Sequence, residues 1–152
     1  MNKFEDFKIK KELYNALTDL GFENPTPIQQ ESYSTILGGS DFVGIAQTGT
    51  GKTAAFAIPI IQLIHQREKD NHGKPTLRSL IVTPTRELAI QIDDNIRDYS
   101  KHTNIKHTVI FGGVKQGKQV ARLKQGVHIL TATPGRLLDL ISQGLLSINS
   151  VK

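Results

Sequence analysis

Residues 42–53 carry the strongest signal for the fold and read Phe42-Val43-Gly44-Ile45-Ala46-Gln47-Thr48-Gly49-Thr50-Gly51-Lys52-Thr53. The short apolar run Phe42–Ala46 predicts a buried β-strand, and apolar residues at helical spacing follow from about Lys52 to Gln66. Residues 46–53 match the phosphate-loop pattern G-x-x-x-x-G-K-S/T, except that alanine replaces the first glycine. The alternative is a glycine-rich turn that only joins strand to helix. We favour the phosphate loop because that motif requires a strand before it and a helix after it.

The chemistry of a phosphate loop explains its residue types. Gly49 and Gly51 allow backbone N–H groups to turn inward around a polyphosphate, and the helix N-terminus adds the positive end of its dipole. Lys52 supplies a positive charge for the β- and γ-phosphates, and Thr53 offers a hydroxyl ligand to Mg²⁺. We therefore predict nucleotide binding, with Lys52 and Thr53 as the residues closest to the chemistry. The predicted nucleotide-binding residues of the loop are Ala46, Gln47, Thr48, Gly49, Thr50, Gly51, Lys52 and Thr53.

Strand and helix patterns alternate along the rest of the chain. Three more strands are predicted, at 79–83, 107–111 and 127–131, and a helical pattern follows each one. This alternation predicts an α/β fold in which a mostly parallel sheet is flanked by helices. In such sheets ligands bind at the carboxyl ends of the strands. The turns expected at that edge are 46–53, 83–86, 112–113 and 132–136.

The amino-terminal segment is predicted to form two helices. The first covers about 9–20 and ends at Gly21, and the second covers 27–37 with Thr26 as its N-cap. Gln29 has two interpretations. It completes a capping box by reaching back to the Thr26 N–H, or its amide bonds the edge of an adenine base. The residues of this turn alone favour the capping box.

Composition restricts the class of protein. The 152 residues suit one domain, and 19 Lys plus Arg against 14 Asp plus Glu give a net charge of +5, which permits a polyanionic partner. The sequence has no cysteine, and its five histidines lack metal-ligand spacing. No apolar run approaches the roughly 18 residues of a membrane span. We expect a soluble, cytoplasmic protein with no membrane partner.

Several motifs occur in the order found in one family, and together they cover nearly the whole chain. Residues 21–29, with Phe4 seventeen positions before Gly21, resemble the Q motif of the DEAD-box ATP-dependent RNA helicases. Residues 46–53 look like motif I of that family, in which alanine at the first position is usual. The remaining matches are Pro84-Thr85-Arg86-Glu87-Leu88-Ala89 to motif Ia, Gly112-Gly113 to the glycine doublet, and Thr133-Pro134-Gly135-Arg136 to motif Ib.

The resemblance implies the N-terminal RecA-like domain of such a helicase, with ATP and Mg²⁺ as ligands. Gln29 would read adenine and Phe4 would stack on it. The alternative for Phe4 is a core anchor for the first helix, and Phe7 competes for either role. Single-stranded RNA would be bound through its backbone. The residues that this resemblance implies as RNA contacts are Pro84, Thr85, Arg86, Gly112, Gly113, Thr133, Pro134, Gly135 and Arg136.

Physical chemistry agrees with the RNA assignment. Arg86 and Arg136 lie near predicted helix N-termini, where a guanidinium and backbone N–H groups can share one phosphate without reading bases. Helix capping is the alternative for Thr85 and Thr133. A basic stretch, made of Lys115, Lys118, Arg122 and Lys124, is better explained as a solvated helix face than as an RNA track.

The sequence contains no Asp-Glu-Ala-Asp motif, which in this family follows motif Ib. We therefore expect residues 41–152 to form a RecA-like domain that lacks its last strands. Residues 1–40 are expected to form a helical segment that contains the Q motif. The strand 42–46 would then leave an apolar sheet edge exposed. The parent protein would couple ATP hydrolysis to RNA unwinding with a second RecA-like domain as partner, while this chain alone would not hydrolyse ATP appreciably. The alternatives are a non-catalytic nucleotide- or RNA-binding module and a phosphate-loop translocase acting on DNA.

Overall fold

The computed structural model describes residues 3–47, 49 and 51–152. The chain forms two compact units, one comprising the chain up to Asp70 with Asn95–Asn104, the other comprising Asn71–Asp94 and Ile105–Lys152. The predicted boundary between residues 40 and 41 stays a prediction. The elements are a 3₁₀ turn Phe4–Asp6, α1 Lys11–Asp19, α2 Pro27–Leu37, α3 Lys52–Glu68, β1 Ser79–Val82, α4 Arg86–Tyr99, β2 His107–Ile110, α5 Gly117–Gln125, β3 Ile129–Ala132 and α6 Pro134–Ser142.

The second unit is built on a three-stranded parallel sheet. Its order is β1-β3-β2, so the last strand in the sequence is the central one, and Leu130 pairs with Leu80 on one side and Thr108 on the other. The prediction of a parallel sheet with strands near 79, 107 and 127 is therefore confirmed, with shifts of up to two residues at the strand ends. One face of β3 packs into the unit's core. Core residues on and around that face include Ile110, Leu130, Ala132, Leu137 and Leu140.

The predicted strand at 42–46 is wrong. Among the described residues this segment pairs with none of the three strands, and two of its apolar side chains, Val43 and Ile45, are 89% and 93% exposed. A run of β-forming residues becomes a strand only when a neighbouring strand supplies hydrogen-bond partners for its backbone. The expected exposure of apolar surface is found, but on an unpaired segment and not on a sheet edge.

The first unit places three helices around an aromatic and aliphatic core. The predicted second helix is confirmed, because α2 begins at Pro27 behind the N-cap residue Thr26 and ends at Leu37. Gly21, at φ +76°, follows α1 in the left-handed region that favours glycine. The buried side chains of this unit include Phe4, Phe7, Leu13, Leu17, Ile58 and Ile61.

A buried glutamine on α3 ties the amino-terminal segment to this core. Gln62 Oε1 accepts hydrogen bonds from the Tyr33 hydroxyl at 3.0 Å and the Lys10 N–H at 3.1 Å, and its Nε2 donates to the Lys8 carbonyl at 3.1 Å. Burial raises the pKa of Tyr33 to about 12, against the opposing effect of the bond to Gln62.

In the described part of the chain, no helix is long and apolar enough to cross a membrane.

Candidate functional site

The phosphate loop ends where α3 begins. Gly51 is the N-cap residue at φ +81° and Gly49 lies at φ +83°, so both occupy the left-handed region, as their predicted roles require. Lys52 and Thr53 form the start of α3, with the lysine exposed and the threonine half-buried. The side chains expected to meet phosphate and Mg²⁺ therefore stand at the positive end of a 17-residue helix.

The other predicted residues of the loop are less informative. Ala46 is half-buried and Gln47 is exposed. Thr48 and Thr50 lie outside the described residues.

Gln29 joins the N-terminus of α2 to the phosphate loop. Its Oε1 accepts a hydrogen bond from the Thr26 N–H at 3.0 Å, and its Nε2 donates to the Gly51 carbonyl at 3.2 Å. The glutamine half of the predicted capping box is thus present, while the Thr26 hydroxyl is buried with no hydrogen-bond partner among the described residues. An amide oxygen accepts two bonds and an amide nitrogen donates two, so, counting partners among the described residues, Gln29 retains one of each for a ligand.

A pocket of about 450 Å³ opens beside Gln29. This volume falls within the range of about 300–1,000 Å³ that small-molecule sites occupy. Its walls combine the Q-motif turn with two glycines of the phosphate loop. The lining residues are Gly21, Phe22, Glu23, Asn24, Thr26, Gln29, Gly49 and Gly51.

Phe4 lies in the core of the first unit. Its side chain is 2% exposed and its ring centroid lies 5.8 Å from that of Phe7 and 6.3 Å from that of Phe22. The core-anchor interpretation therefore describes its position, and its stacking on adenine stays a prediction that requires the ring to leave the core. Phe22 is the aromatic residue that lines the pocket, and the sequence reasoning missed it although it directly follows Gly21 in the Q motif.

The three strands of the second unit end at the same position along the strand direction. Ala132 pairs with Val82 of β1 and with Ile110 of β2, and each is the last residue of its strand. The turns that follow β1, β2 and β3 therefore leave from one edge of the sheet, which confirms the predicted edge for this unit. Seven of the nine predicted RNA contacts are exposed there, namely Pro84, Thr85, Arg86, Gly112, Gly113, Pro134 and Gly135.

Arg86 is the first residue of α4 and is exposed. Its guanidinium carbon lies 4.7 Å from the ring centroid of Phe111, within range of a cation–π interaction. The preceding Thr85 accepts a hydrogen bond from the Leu88 N–H at 3.2 Å, so the predicted capping role of Thr85 is observed. Phe111, which sequence reasoning assigned only to a strand, is thus a neighbour of the predicted site.

Arg136 lies in the first turn of α6 and is held at two points. Its Nη1 donates to Gln119 Oε1 at 2.9 Å and its Nη2 donates to the Val114 carbonyl at 2.7 Å. Thr133 is the N-cap residue of α6 but its side chain makes no capping hydrogen bond. Both predicted arginines therefore lie at helix N-termini, as expected.

The basic stretch on α5 behaves as a solvated face. Lys115, Lys118 and Lys124 are exposed, and Arg122 Nη1 donates to the Gln125 side chain at 3.1 Å.

Comparison with known proteins places the chain in a family. The sequence model of the DEAD/DEAH box helicases matches residues 26–152, and the chain belongs to that family. The ATP-dependent RNA helicase DBP3 of Lodderomyces elongisporus is 41% identical over 149 residues, which cover 97% of this chain and 26% of the relative. The DEAD-box ATP-dependent RNA helicase CshA of Bacillus subtilis is 40% identical over 148 residues, which cover 97% of this chain and 29% of the relative.

A solved structure gives the same result for the fold. The crystal structure of a DEAD box protein from Methanococcus jannaschii matches with a TM-score of 0.89 at 38% identity, over 100% of this chain and 40% of that one. The predicted RecA-like α/β fold, with a parallel sheet flanked by helices, is confirmed. The chain spans between 26% and 29% of the length of the two curated relatives.

Proposed function

We propose that the chain binds ATP with Mg²⁺ through its first unit and the backbone of single-stranded RNA through the strand edge of its second unit. The whole protein then couples ATP hydrolysis to local separation of RNA strands, with a second RecA-like domain as partner. Relatives named as ATP-dependent RNA helicases support this assignment. The observation that carries the proposal is the position of Gln29, which bonds Gly51 of the phosphate loop and lines the adjoining pocket.

The nucleotide would lie across that pocket and the N-terminus of α3. The unused donor and acceptor of Gln29 match the N7 acceptor and the N6 donor of adenine, an arrangement worth about 1–3 kcal/mol of discrimination between bases. The phosphates would meet the backbone around Gly49 and Gly51 and the charge of Lys52. Phe22 would contact the base from the pocket wall.

Thr53 fits Mg²⁺ as one ligand among several. Among the described residues no group of three or more His, Asp or Glu side chains is placed to hold a metal. Mg²⁺ keeps several waters and uses one or two protein oxygens beside substrate phosphates, so one hydroxyl at a phosphate-binding helix start suits it. The ion neutralises charge on the phosphates when bound, and Thr53 would orient it.

The RNA part of the proposal rests on the level strand edge. The surface at this edge contains two arginines at helix N-termini, several glycines and exposed backbone. Such a surface suits phosphate oxygens and does not suit the reading of base edges. We expect contacts along the strand that are independent of base sequence. Hydrolysis needs carboxylates and an arginine finger, the latter worth about 10³–10⁵ in rate, so we expect this chain alone to bind ATP without turnover.

Equilibrium binding tests both parts. In the first experiment, fluorescent ATP and GTP analogues are titrated into the wild-type protein and into Lys52→Ala, with and without Mg²⁺. In the second experiment, labelled single-stranded RNA and matching DNA are titrated into the wild-type protein. We expect ATP to bind better than GTP, Lys52→Ala to weaken both, and RNA to bind better than DNA. Equal affinity for DNA would favour a DNA translocase. Phosphate release that disappears in Lys52→Ala would contradict the expected inactivity of the chain.

A further inference from the structure

The side chain of Gln119 lies at the centre of a hydrogen-bond network behind the strand edge of the second unit. Its Oε1 accepts from Arg136 Nη1 at 2.9 Å and from the Phe111 N–H at 3.4 Å, and its Nε2 donates to the Phe111 carbonyl at 3.1 Å. Gln119 is 9% exposed. Water therefore competes little for these bonds, and one amide group fixes two neighbours at once.

The first neighbour is Arg136. Gln119 holds one terminal nitrogen of its guanidinium, and the Val114 carbonyl holds the other at 2.7 Å. A guanidinium has five N–H donors in a rigid plane, and these two bonds use two of them. As far as the described residues show, three donors remain for a phosphate, on a group whose orientation is already set. Less conformational entropy is then lost on binding than for a free arginine.

The second neighbour leads to Arg86. Gln119 bonds both the N–H and the carbonyl of Phe111, which fixes the backbone that carries the Phe111 ring. The guanidinium of Arg86 lies over that ring at 4.7 Å. A displacement of Phe111 would move the aromatic ring on which the Arg86 guanidinium lies. Gln119 thus makes a direct hydrogen bond to Arg136 and is linked to Arg86 through one intervening residue, Phe111.

We propose that Gln119 is the positioning residue of the strand edge: it orients Arg136 directly and Arg86 through Phe111, so that both guanidinium groups are presented together to RNA phosphates. This inference rests on the RNA contact proposed above. Gln119 itself touches no phosphate, and its effect on binding passes entirely through the two arginines. The single distinguishing consequence is that its contribution disappears when both arginines are removed.

The test measures the affinity of labelled single-stranded oligouridylate by fluorescence anisotropy at several salt concentrations. Gln119→Leu removes all three hydrogen bonds, and we expect affinity to fall about tenfold, the effect of losing one hydrogen bond to a charged group. Gln119→Glu retains an acceptor for Arg136 but neutralises its charge. It should reduce the slope of log affinity against log salt by about 0.7.

Gln116→Leu is the matched control. Gln116 lies immediately before α5 and exchanges two hydrogen bonds with Gln143, at 3.0 and 3.1 Å, and the side-chain bonds of Arg136 to described residues go to Gln119 and Val114 instead. We expect its RNA affinity to equal that of the wild type. ATP-analogue affinity, which belongs to the first unit, and the melting temperature are measured for each variant. If Gln119→Leu does not fold, Gln119→Glu decides the question.

The decisive comparison introduces Gln119→Leu into the Arg86→Ala/Arg136→Ala background. We expect it to have no further effect on RNA affinity there. A folded Gln119→Leu protein that binds RNA like the wild type, or a tenfold loss that persists without the arginines, overturns the inference while leaving the proposed function intact. If removal of both arginines has no effect on RNA affinity, the proposed RNA contact itself fails.

Discussion

The side-chain nitrogen of Gln29 donates a hydrogen bond to the carbonyl oxygen of Gly51 at 3.2 Å. This bond joins the first turn of α2 to the residue that caps α3, across 22 positions of sequence. A Cβ atom added to Gly51 would collide with the same nitrogen. The wall of the proposed adenine pocket and the end of the phosphate loop are therefore joined by this contact. Substitutions of Gln29 and of Gly51 test whether the contact matters for nucleotide binding.

Gln29→Glu separates capping from nucleotide binding. A glutamate oxygen still accepts from the Thr26 N–H, but it cannot donate to the Gly51 carbonyl, and its charge opposes nucleotide phosphates. We expect the free energy of unfolding to fall by about 0.5–1.5 kcal/mol through loss of the bond to Gly51 and the affinity for an ATP analogue to fall at least about tenfold, a loss of about 1.4 kcal/mol. Denaturant unfolding and fluorescence titration measure the two quantities. Unchanged affinity would remove the Gln29 amide nitrogen from the nucleotide contacts.

Gly51→Ala should weaken nucleotide binding beyond its effect on stability. The left-handed backbone costs a residue with a Cβ atom about 1–2 kcal/mol, and the new methyl group displaces the Gln29 amide. Gly39→Ala is the matched control, because Gly39 lies at φ +77° with nothing within 4 Å of the added atom. We expect both variants to lose stability through the left-handed backbone, Gly51→Ala to melt lower because it also displaces the Gln29 amide, and ATP-analogue affinity to fall for Gly51→Ala alone. Equal affinities would contradict the proposed coupling.

Arg86→Ala should weaken RNA binding in a salt-dependent manner. If its guanidinium neutralises one phosphate, the slope of log affinity against log salt becomes shallower by about 0.7. Anisotropy titrations at four salt concentrations measure that slope. Arg122→Ala, on the solvated face of α5, is the control and should leave the slope unchanged. An unchanged slope in Arg86→Ala would remove this residue from the RNA contacts.

Tyr33→Phe tests the alkaline limit of stability. Burial raises the pKa of Tyr33 in the folded protein to about 12, so folding favours the neutral phenol. This contribution to stability is complete below the unfolded pKa of about 10 and is lost as the pH rises through about 12. We expect Tyr33→Phe to be less stable at pH 7 by about 0.5–1.5 kcal/mol through loss of the bond to Gln62. Its stability should fall less steeply above about pH 10. Parallel curves of unfolding free energy against pH would contradict this.

Val43→Thr should reduce self-association without affecting folding. Val43 is 89% exposed on the unpaired segment before the phosphate loop, and exposed β-forming residues without a partner strand favour contacts between copies. We expect the free energy of unfolding to stay within about 0.5 kcal/mol, as for other surface substitutions. Sedimentation velocity at increasing concentration measures the association. Unchanged association would assign any self-contact to another surface.

Local features of the site and fold were predictable because neighbouring residues determine them. The bounds of α2 follow from Thr26, Pro27 and the apolar spacing behind them, and the glycines of the phosphate loop follow from the left-handed backbone that their positions need. The helix-capping role of Thr85 also depends on contacts within one turn. Each of these involves residues a few positions apart, so the sequence pattern contains the whole interaction.

Features that depend on distant residues were not predictable in the same way. The spacing of Phe4 relative to Gly21 matches the base-stacking position of the motif, and only the folded structure shows that its ring packs in the core against Phe7 and Phe22. The hydrogen bonds of Gln119 to Phe111 and Arg136, and that of Arg136 to Val114, form only after β2, β3 and their connections have come together. No periodicity along α5 distinguishes this glutamine from its polar neighbours.

The sequence alone determined the three parallel strands, the helix that begins at Pro27 and the membership of the DEAD/DEAH box helicase family, since these depend on local propensity, residue chemistry and motif order. Only the tertiary structure decided that 42–46 pairs with no strand in the part of the chain that it describes, that Phe4 is buried, and that Gln29 and Gln119 each join separate motifs. The physical reason is that strand pairing, burial and the choice of hydrogen-bond partner are properties of segments brought together by folding.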